Sequence, residues 1–212
     1  MNAPEDCALC PRLVTSRLAV VQGSGPVPAD IMVVAQAPGR DEERAAVPQP
    51  LVGWSGQRLR EKLMPLAGID PAAVRYENIV RCRPPAKKGG DMPPTAAEVA
   101  NCRQFLTAAI AAVRPTVIIT LGAPALHWFL PDAKLDQCHG QPQEVYLGDG
   151  LVLGINVHGA DSSEPDGSRS TCVDGRSLHH KVLVVPMYHP AAAAPGRNPT
   201  LVPVMYDDWR KL

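Results

Sequence analysis

Four apolar runs of the chain end in residues that could serve a ligand site. The segment AQAPG contributes Gln36, NIVRCRPP contributes Asn78, YHPAA contributes His189, and LGAPA is the fourth. An asparagine amide offers a hydrogen-bond donor and an acceptor together, and a histidine ring can donate to an oxygen on which charge collects. A plain turn would explain any one of these segments. The four together predict a ligand site.

The cysteines form a second pattern, one with metal-binding chemistry. Cys7 and Cys10 form a CxxC pair, Cys82 follows the second apolar run, and Cys102 lies in a predicted helix. Two close cysteines and two from other elements can make a four-thiolate site, which holds either zinc or an iron–sulfur cluster. Thiol chemistry does not distinguish zinc from iron, and free buried cysteines are the alternative to both.

The elements that must hold these residues alternate along the chain. Apolar runs predict buried parallel strands at 31–35, 76–82, 115–122 and 181–190, and shorter strands at EVYLG and LVLGINV. Helices are predicted at 10–21, 55–69, 95–113 and 200–212. Ser55 and the Thr95–Glu98 capping box are the start signals of two of them. Such alternation predicts an α/β fold, a parallel sheet with helices on both faces, whose strand ends meet at one edge.

Composition bounds the class of protein. The 212 residues, 45% of them hydrophobic, suit one compact domain, so 1–212 is predicted to be a single domain. A formal net charge of zero excludes a uniformly basic coat for nucleic acid but permits a local basic patch. No apolar run is long enough to cross a membrane, and the N-terminus lacks the features of a signal peptide. A soluble, cytoplasmic protein without membrane contact is expected.

Several motifs occur in a fixed order: CALC, AQAPGRDEE, PLVGWSGQRL, NIVRCRPP, AEVANCRQFL, ITLGAPA and YHPAA. In this order they resemble the family 4 uracil-DNA glycosylases over residues 7–130 and again over 181–209. The resemblance implies a three-layer α/β/α fold with a central, mostly parallel four-stranded sheet. It implies a monomeric hydrolase that flips a base out of DNA and cleaves its N-glycosidic bond, leaving an abasic site. It also implies a [4Fe-4S] cluster held by Cys7, Cys10, Cys82 and Cys102.

The resemblance assigns roles to individual residues. His189 would donate a hydrogen bond to the base oxygen that gains charge, and Asn78 would pair with the Watson–Crick edge of the flipped base. The base pocket would also be lined by Ala37, Pro38, Gly39 and Leu51. The phosphates of the DNA would be bound by Arg81, Arg83, Lys87, Lys88 and Arg197.

Two residues depart from the family pattern. Gln36 stands where the family usually has a glutamate associated with the attacking water, and a glutamine can orient water but cannot accept its proton. Loss of a general base costs about 10²- to 10⁴-fold in rate. Asp41, Glu42 or Glu43 could substitute. Leu51 stands where a phenylalanine usually stacks on uracil, a contact worth about 1–3 kcal/mol, and it leaves more room.

A stretch at about 147–180 is predicted to be an insertion, either a solvated surface loop or a lid. Its titratable residues include His158, Asp161, His179 and His180. Uracil is the default substrate. The alternative is a bulky modified pyrimidine, for example in phage DNA, which would imply an antiviral role. A further hypothesis is a DNA-binding protein that has lost catalysis and acts as a sensor. Gln36 favours this hypothesis, and His189 and Asn78 oppose it.

Overall fold

A computed structural model describes residues 1–88, 90–148, 151–156 and 180–212 of the chain. The strands of this part are β1 (Ile31–Ala35), β2 (Arg75–Asn78), β3 (Ala86–Lys87), β4 (Gly90–Asp91), β5 (Val117–Leu121), β6 (Gln143–Gly148), β7 (Leu151–Asn156) and β8 (His180–Met187). The α-helices are α1 (Pro11–Val14), α2 (Arg40–Arg44), α3 (Trp54–Arg58), α4 (Ala96–Val113), α5 (Ala123–Phe129), α6 (Leu135–Cys138) and α7 (Leu201–Arg210). Other helical turns are π-helical at Leu59–Leu63 and 3₁₀ at Met64–Ala67, Pro71–Ala73 and Pro190–Ala193.

The four parallel strands predicted from the apolar runs are present, but two of them end earlier than predicted: β2 ends at Asn78 instead of 82, and β8 ends at Met187 instead of 190. β1 pairs in parallel with β2 and with β5, and β5 pairs in parallel with β8. The sheet has six strands rather than the four that the resemblance implied, because β6 pairs antiparallel with β8, and β7 with β6. The carboxyl ends of β2, β1, β5 and β8 therefore share one edge, which is where open α/β sheets bind ligands.

Side chains of the sheet alternate between its two faces and divide the core into two clusters. Met32 and Val34 of β1 belong to one cluster, which α4 and α5 cover. Val33 and Ala35 belong to the other, which the helical segment 54–67 and α7 cover. All four side chains are at most 2% exposed. Helices on both faces of one sheet make three layers, so the predicted α/β/α class is confirmed.

Helix starts follow the capping signals only in part. Thr95 caps α4 as predicted: its hydroxyl accepts the Glu98 N–H at 3.3 Å, and the Glu98 carboxylate accepts the Thr95 N–H at 2.7 Å. The predicted cap at Ser55 is wrong, because the helical segment already begins at Trp54 and Gly53 occupies the cap position. A short polar side chain near a helix start therefore identified one of the two caps.

The first helix is shorter than predicted. α1 ends at Val14, well before the predicted end at Val21, because the chain turns away to join the end of β2. Val20 forms an isolated antiparallel bridge with Cys82, and the Val21 N–H donates to the Arg81 carbonyl at 2.8 Å. These backbone groups are satisfied by the neighbouring segment instead of by a helix. The N-terminal segment is thereby tied to the chain beside Cys82.

The predicted insertion at 147–180 lies largely outside the described residues, and with it His158, Asp161 and His179. Leu147 belongs to β6, and His180 is the first residue of β8. Within the described part of the chain, no helix combines the length and the apolar character that crossing a bilayer requires.

Candidate functional site

The four strand ends that stood out in the sequence meet at the carboxyl edge of the sheet. Asn78 closes β2 in register with the last residue of β1, and Gln36 follows that residue. Gly122 follows β5 and donates its N–H to the last carbonyl of β8 at 2.8 Å. A Cβ added at Gly122, whose φ is +85°, would lie 3.4 Å from the Cβ of His189. Glycine therefore provides both the left-handed backbone and the space that His189 occupies.

Asn78 is a buried amide whose side chain makes no hydrogen bond to the described residues. Its side chain is 2% exposed, and neither Nδ2 nor Oδ1 finds a partner among the described residues. Leaving a buried polar group unsatisfied costs about 1–3 kcal/mol, so such groups are rare and call for an explanation. A ligand with one acceptor and one donor would satisfy both atoms.

His189 is held in one tautomer. It is half-buried just after β8, and its Nδ1 accepts the N–H of Ala191 at 3.1 Å. Burial, and then the positive charge of Arg197, lower the pKa of His189 to about 4. The ring is therefore neutral at pH 7, and because Nδ1 is an acceptor its proton lies on Nε2. His189 offers one uncharged N–H donor at the edge of the sheet.

A buried carboxylate holds together the two loops that flank the edge. Glu42 of α2 accepts the N–H of Gly39 and the N–H of Leu51, each at 2.8 Å. Burial raises the pKa of Glu42, and the two backbone donors oppose this effect. This role of Glu42 was not predicted, although a glutamate three residues after Gly39, the residue that precedes α2, is the signal of a capping box.

Of the three acids that could replace a missing general base, two are engaged elsewhere. Both oxygens of Glu42 accept backbone N–H groups, and Glu43 accepts the N–H of Leu18 at 2.6 Å. Asp41 is exposed, and its carboxylate lies beside Gly53 before α3. Asp41 alone among the three therefore presents its side chain to solvent.

The other residues of the predicted base pocket follow β1 or precede α3. Pro38 is buried, and Ala37 and Gly39 are half-buried. Leu51 is 2% exposed and belongs to the same buried apolar cluster as Met187. Its φ of +57° is left-handed, which costs a residue other than glycine about 1–2 kcal/mol. Leu51 is thus packed into the core and presents no exposed face for stacking.

The predicted phosphate-binding residues differ in their surroundings. Arg81 is 1% exposed, and the structure does not leave it within reach of a phosphate at the surface. Arg83 makes two hydrogen bonds to Asp91, at 3.0 and 2.6 Å, and its charge is matched there. Three predicted residues are exposed: Lys87 and Lys88 in the β3–β4 hairpin, and Arg197. Of these, Arg197 is close enough to His189 to affect its pKa.

Arg81 belongs to a buried ion-pair network on β2. Glu77, fully buried, accepts from Arg81 at 2.9 Å through one oxygen and from Arg75 at 2.7 Å through the other. Arg81 also donates to Gln22 Oε1 at 2.7 Å. A buried carboxylate without such partners would be strongly destabilising, which is the physical reason that Arg81 faces inward. The network lies directly beside Asn78, the next residue after Glu77.

The four cysteines line one cavity, as their pattern predicted. The cavity walls include Cys7, Cys10, Cys82 and Cys102. Arg17 donates to Cys82 Sγ at 3.2 Å, and the Arg81 N–H donates to Cys102 Sγ at 3.4 Å. Burial raises the pKa of Cys102 to about 11. Within the described residues, no three His, Cys, Asp or Glu side chains are close enough to hold a single metal ion.

Comparison with known proteins gives a consistent answer. A family model of the uracil DNA glycosylase superfamily matches residues 22–210. A type-4 uracil-DNA glycosylase of Thermotoga maritima is 38% identical over 149 residues, which cover 69% of this chain and 73% of the relative. Another from Pyrobaculum aerophilum is 32% identical, covering 93% and 83%, and one from Saccharolobus solfataricus is 29% identical, covering 97% and 80%. The resemblance noted in the ordered motifs is confirmed, and the chain belongs to the uracil DNA glycosylase superfamily.

Proposed function

We propose that this protein is a monofunctional uracil-DNA glycosylase, which binds a uracil flipped out of DNA and hydrolyses its bond to the deoxyribose. The observation that carries the proposal is the buried Asn78 amide, which lacks partners in the described chain and lies at the ligand-binding edge of the sheet. The superfamily match and the similarity to type-4 uracil-DNA glycosylases support the same activity.

Asn78 supplies a pattern that fits uracil. The Oδ1 atom can accept the N3–H of the base while Nδ2 donates to the base O4, so that both unsatisfied atoms gain a partner. Cytosine presents an amino group in place of O4, and this donor would face the Nδ2 donor. Thymine has the same edge as uracil and differs by its methyl group. Asn78 therefore selects against cytosine, and the space around C5 must decide between uracil and thymine.

His189 acts on the charge that develops as the bond breaks. When the bond from C1′ to N1 cleaves, its electron pair leaves with the base, and negative charge spreads to O2. A donor placed for that charge stabilises the transition state more than the ground state. The Nε2–H of His189 suits this role. The pKa of about 4 leaves the ring uncharged at pH 7, and the hydrogen bond at Nδ1 fixes its tautomer.

Gln36 can orient the attacking water but cannot act as its general base. The amide of Gln36 follows β1 and can orient a water toward C1′, but it cannot accept a proton. The water oxygen forms the new bond to C1′, and its proton passes to solvent. A sugar with cationic character needs only a weak nucleophile, so the reaction remains possible at a reduced rate. Asp41, the exposed acid of α2, is the alternative proton acceptor.

We propose a [4Fe-4S] cluster in the cysteine cavity, held by Cys7, Cys10, Cys82 and Cys102. Four sulfur donors around an apolar space, with N–H donors directed at two of them, fit a thiolate-held cluster. The alternative is zinc, which four thiolates hold at about 2.3 Å from one ion. The cluster would supply cross-links between the N-terminal segment, the end of β2 and α4, and take no part in the reaction.

The protein would act as a monomer with a single domain over 1–212, and bind DNA in the cytoplasm. The exposed Lys87, Lys88 and Arg197 are the phosphate-binding residues that the surroundings support. Arg197 is the member nearest to the base site, because its charge reaches His189. The two lysines extend the track onto the β3–β4 hairpin.

Replacing Lys87 and Lys88 together with alanine should weaken binding to DNA of any sequence. Each lost phosphate contact should reduce the slope of log K against log salt by about 0.9, because fewer counterions are released. Titrations at several salt concentrations measure this slope. Arg83→Ala is the matched comparison and should change the slope less, since Asp91 already neutralises its charge. An unchanged slope in the double variant would contradict a DNA track over the hairpin.

The activity itself is tested with duplexes that carry uracil, thymine or a bulky modified pyrimidine, scored for abasic sites. The wild-type protein should release uracil and leave thymine. Gln36→Glu should raise uracil release by up to about 100-fold, because a carboxylate can accept the proton of the water. Release of only the bulky base would contradict uracil as the substrate. Binding without release in both proteins would contradict the enzyme and favour a sensor.

A further inference from the structure

One tryptophan differs from the other two. Trp128 and Trp209 are 3% and 1% exposed and belong to the two core clusters, whereas Trp54 at the start of α3 is 43% exposed. A large aromatic ring in contact with water contributes little to folding. Exposed tryptophans of this kind are enriched where a protein contacts a partner. Trp54 thus has no role in the core that would account for it.

Trp54 is part of an aromatic and cationic surface that we call the Trp54 patch, formed by Trp54, Arg58, Tyr206 and Arg210. The guanidinium carbon of Arg58 lies 5.7 Å from the centre of the Trp54 ring and 5.6 Å from that of Tyr206. Arg210 lies 6.0 Å from the Tyr206 ring. Arg58 is half-buried, and its Nε is buried without a hydrogen-bond partner within the described chain. The adjacent acid, Asp207, pairs with Lys211.

The patch borders the base site on two sides. Helix α3 packs against the 3₁₀ turn Pro190–Ala193, which begins directly after His189. The residue before Trp54, Gly53, lies against Asp41 in the segment that follows β1. Trp54 is therefore attached to the loops that leave β1 and β8, the same strands that provide Gln36 and His189. A DNA strand whose base enters the site must pass close to this rim.

We propose that the Trp54 patch binds the single-stranded nucleotides that flank the target base, with a neighbouring base stacked on Trp54 and a phosphate bound by Arg58. The inference rests on the proposed glycosylase function. An exposed aromatic ring beside arginines suits a flexible polyanion with flat rings, because stacking accepts any base and the cations bind the backbone. The positive charges of Arg58 and Arg210 favour a nucleic acid over an apolar protein surface as the partner of the patch.

Tryptophan fluorescence tests the proposal directly, because Trp54 is the exposed member of the three tryptophans. An unmodified oligo(dT) strand without uracil should quench the emission of the wild-type protein. Trp54→Phe should lose this quenching and retain affinity within about threefold, since a ring remains. Trp54→Ala should weaken affinity by about 5- to 100-fold and raise KM for a uracil-containing strand, with kcat nearly unchanged.

Arg58→Ala is compared with Arg103→Ala, which removes a similar cation 4.5 Å from the ring of the buried Trp128. Only Arg58→Ala should weaken oligo(dT) binding. Wild-type affinity in Trp54→Ala, or quenching that persists in Trp54→Phe, would overturn the patch. If the protein releases uracil but oligo(dT) does not change Trp54 fluorescence, the proposed role of the patch is contradicted and the glycosylase function is not. Trp54-dependent binding without release would support the patch and contradict the glycosylase.

Discussion

Replacing His189 with alanine should lower kcat for uracil release by at least about 100-fold, because the donor to the departing base is lost. Affinity for uracil-containing DNA should stay within about threefold of wild type, since the donor acts mainly in the transition state. Single-turnover kinetics and a binding titration at the same salt concentration measure the two effects separately. His189→Gln keeps an N–H donor and should recover part of the rate. If affinity fell in step with rate, His189 would be a binding residue.

The pH dependence of the rate of uracil release is a second test of the role of His189. With a pKa of about 4, the ring stays neutral down to about pH 5, so its contribution to the rate should be constant from about pH 8 to 5. An ordinary histidine would change charge near pH 6.5. A rate change centred near pH 6.5, present in wild type and absent from His189→Gln, would contradict the neutral donor.

The lowered pKa of His189 also makes the free energy of unfolding depend on pH. Between about pH 6.5 and 4 the unfolded histidine takes up a proton and the folded one does not. The unfolded state is therefore favoured as the pH falls through this range. The contribution of His189 to the free energy of unfolding is complete above about pH 6.5 and is lost as the pH falls toward 4.

Replacing Cys102 with serine should remove the visible thiolate-to-iron absorption of the anaerobically purified protein and lower its Tm by roughly 6–12 °C. Loss of a covalent cross-link costs about 3 kcal/mol, and each kcal/mol lowers the Tm of a chain of this size by about 2–4 °C. Serine cannot replace a thiolate toward iron. Absorption spectra, iron content and thermal unfolding measure the effect.

Cys138→Ser is the matched control for this prediction. Cys138 lies outside the cavity and donates to the Lys134 carbonyl, so its loss should leave colour and iron content unchanged. A Cys102→Ser protein with the full visible spectrum would contradict the ligand assignment. A colourless wild-type protein with one bound zinc would contradict the cluster while leaving the cysteine site in place.

The cysteine cavity and the base site are connected by one short segment. Asn78 and Cys82 are four residues apart, and Arg81 between them donates its backbone N–H to Cys102 and its guanidinium to Glu77. A displacement of Cys82 must therefore reach Asn78 through a chain that is buried throughout. The proposed cluster would in this way help to position Asn78, the amide that we propose pairs with the base.

Much of the site could be predicted because its signals are local. The apolar run that ends at Ala35 and the capping box of Thr95 and Glu98 each depend on residues within one element. A parallel sheet places strand ends together, so Asn78 and His189 could be brought to one edge before any contact was known. The shared cavity of the four cysteines followed in the same way from chemistry and position.

The burial of individual basic residues could not be predicted from the sequence. Arg81, Arg83 and Lys87 look alike in the sequence, one positive charge after another beside two prolines. Arg81 is buried because Glu77 and a glutamine 59 residues away accept its hydrogen bonds. No local rule distinguishes it from the half-buried Arg83 and the exposed Lys87, since the cost of burying a charge depends on which groups surround it in space.

The sequence by itself determined the class of fold, the presence of four parallel strands and the residue types near their carboxyl ends, because hydrophobic period is a property of neighbouring residues. Only the tertiary structure decided that Glu42 binds two loops, that Arg81 faces inward and that Trp54 faces outward beside Arg58. Each of these depends on groups brought together by packing. Their free energies come from burial and pairing in space, which spacing along the chain does not specify.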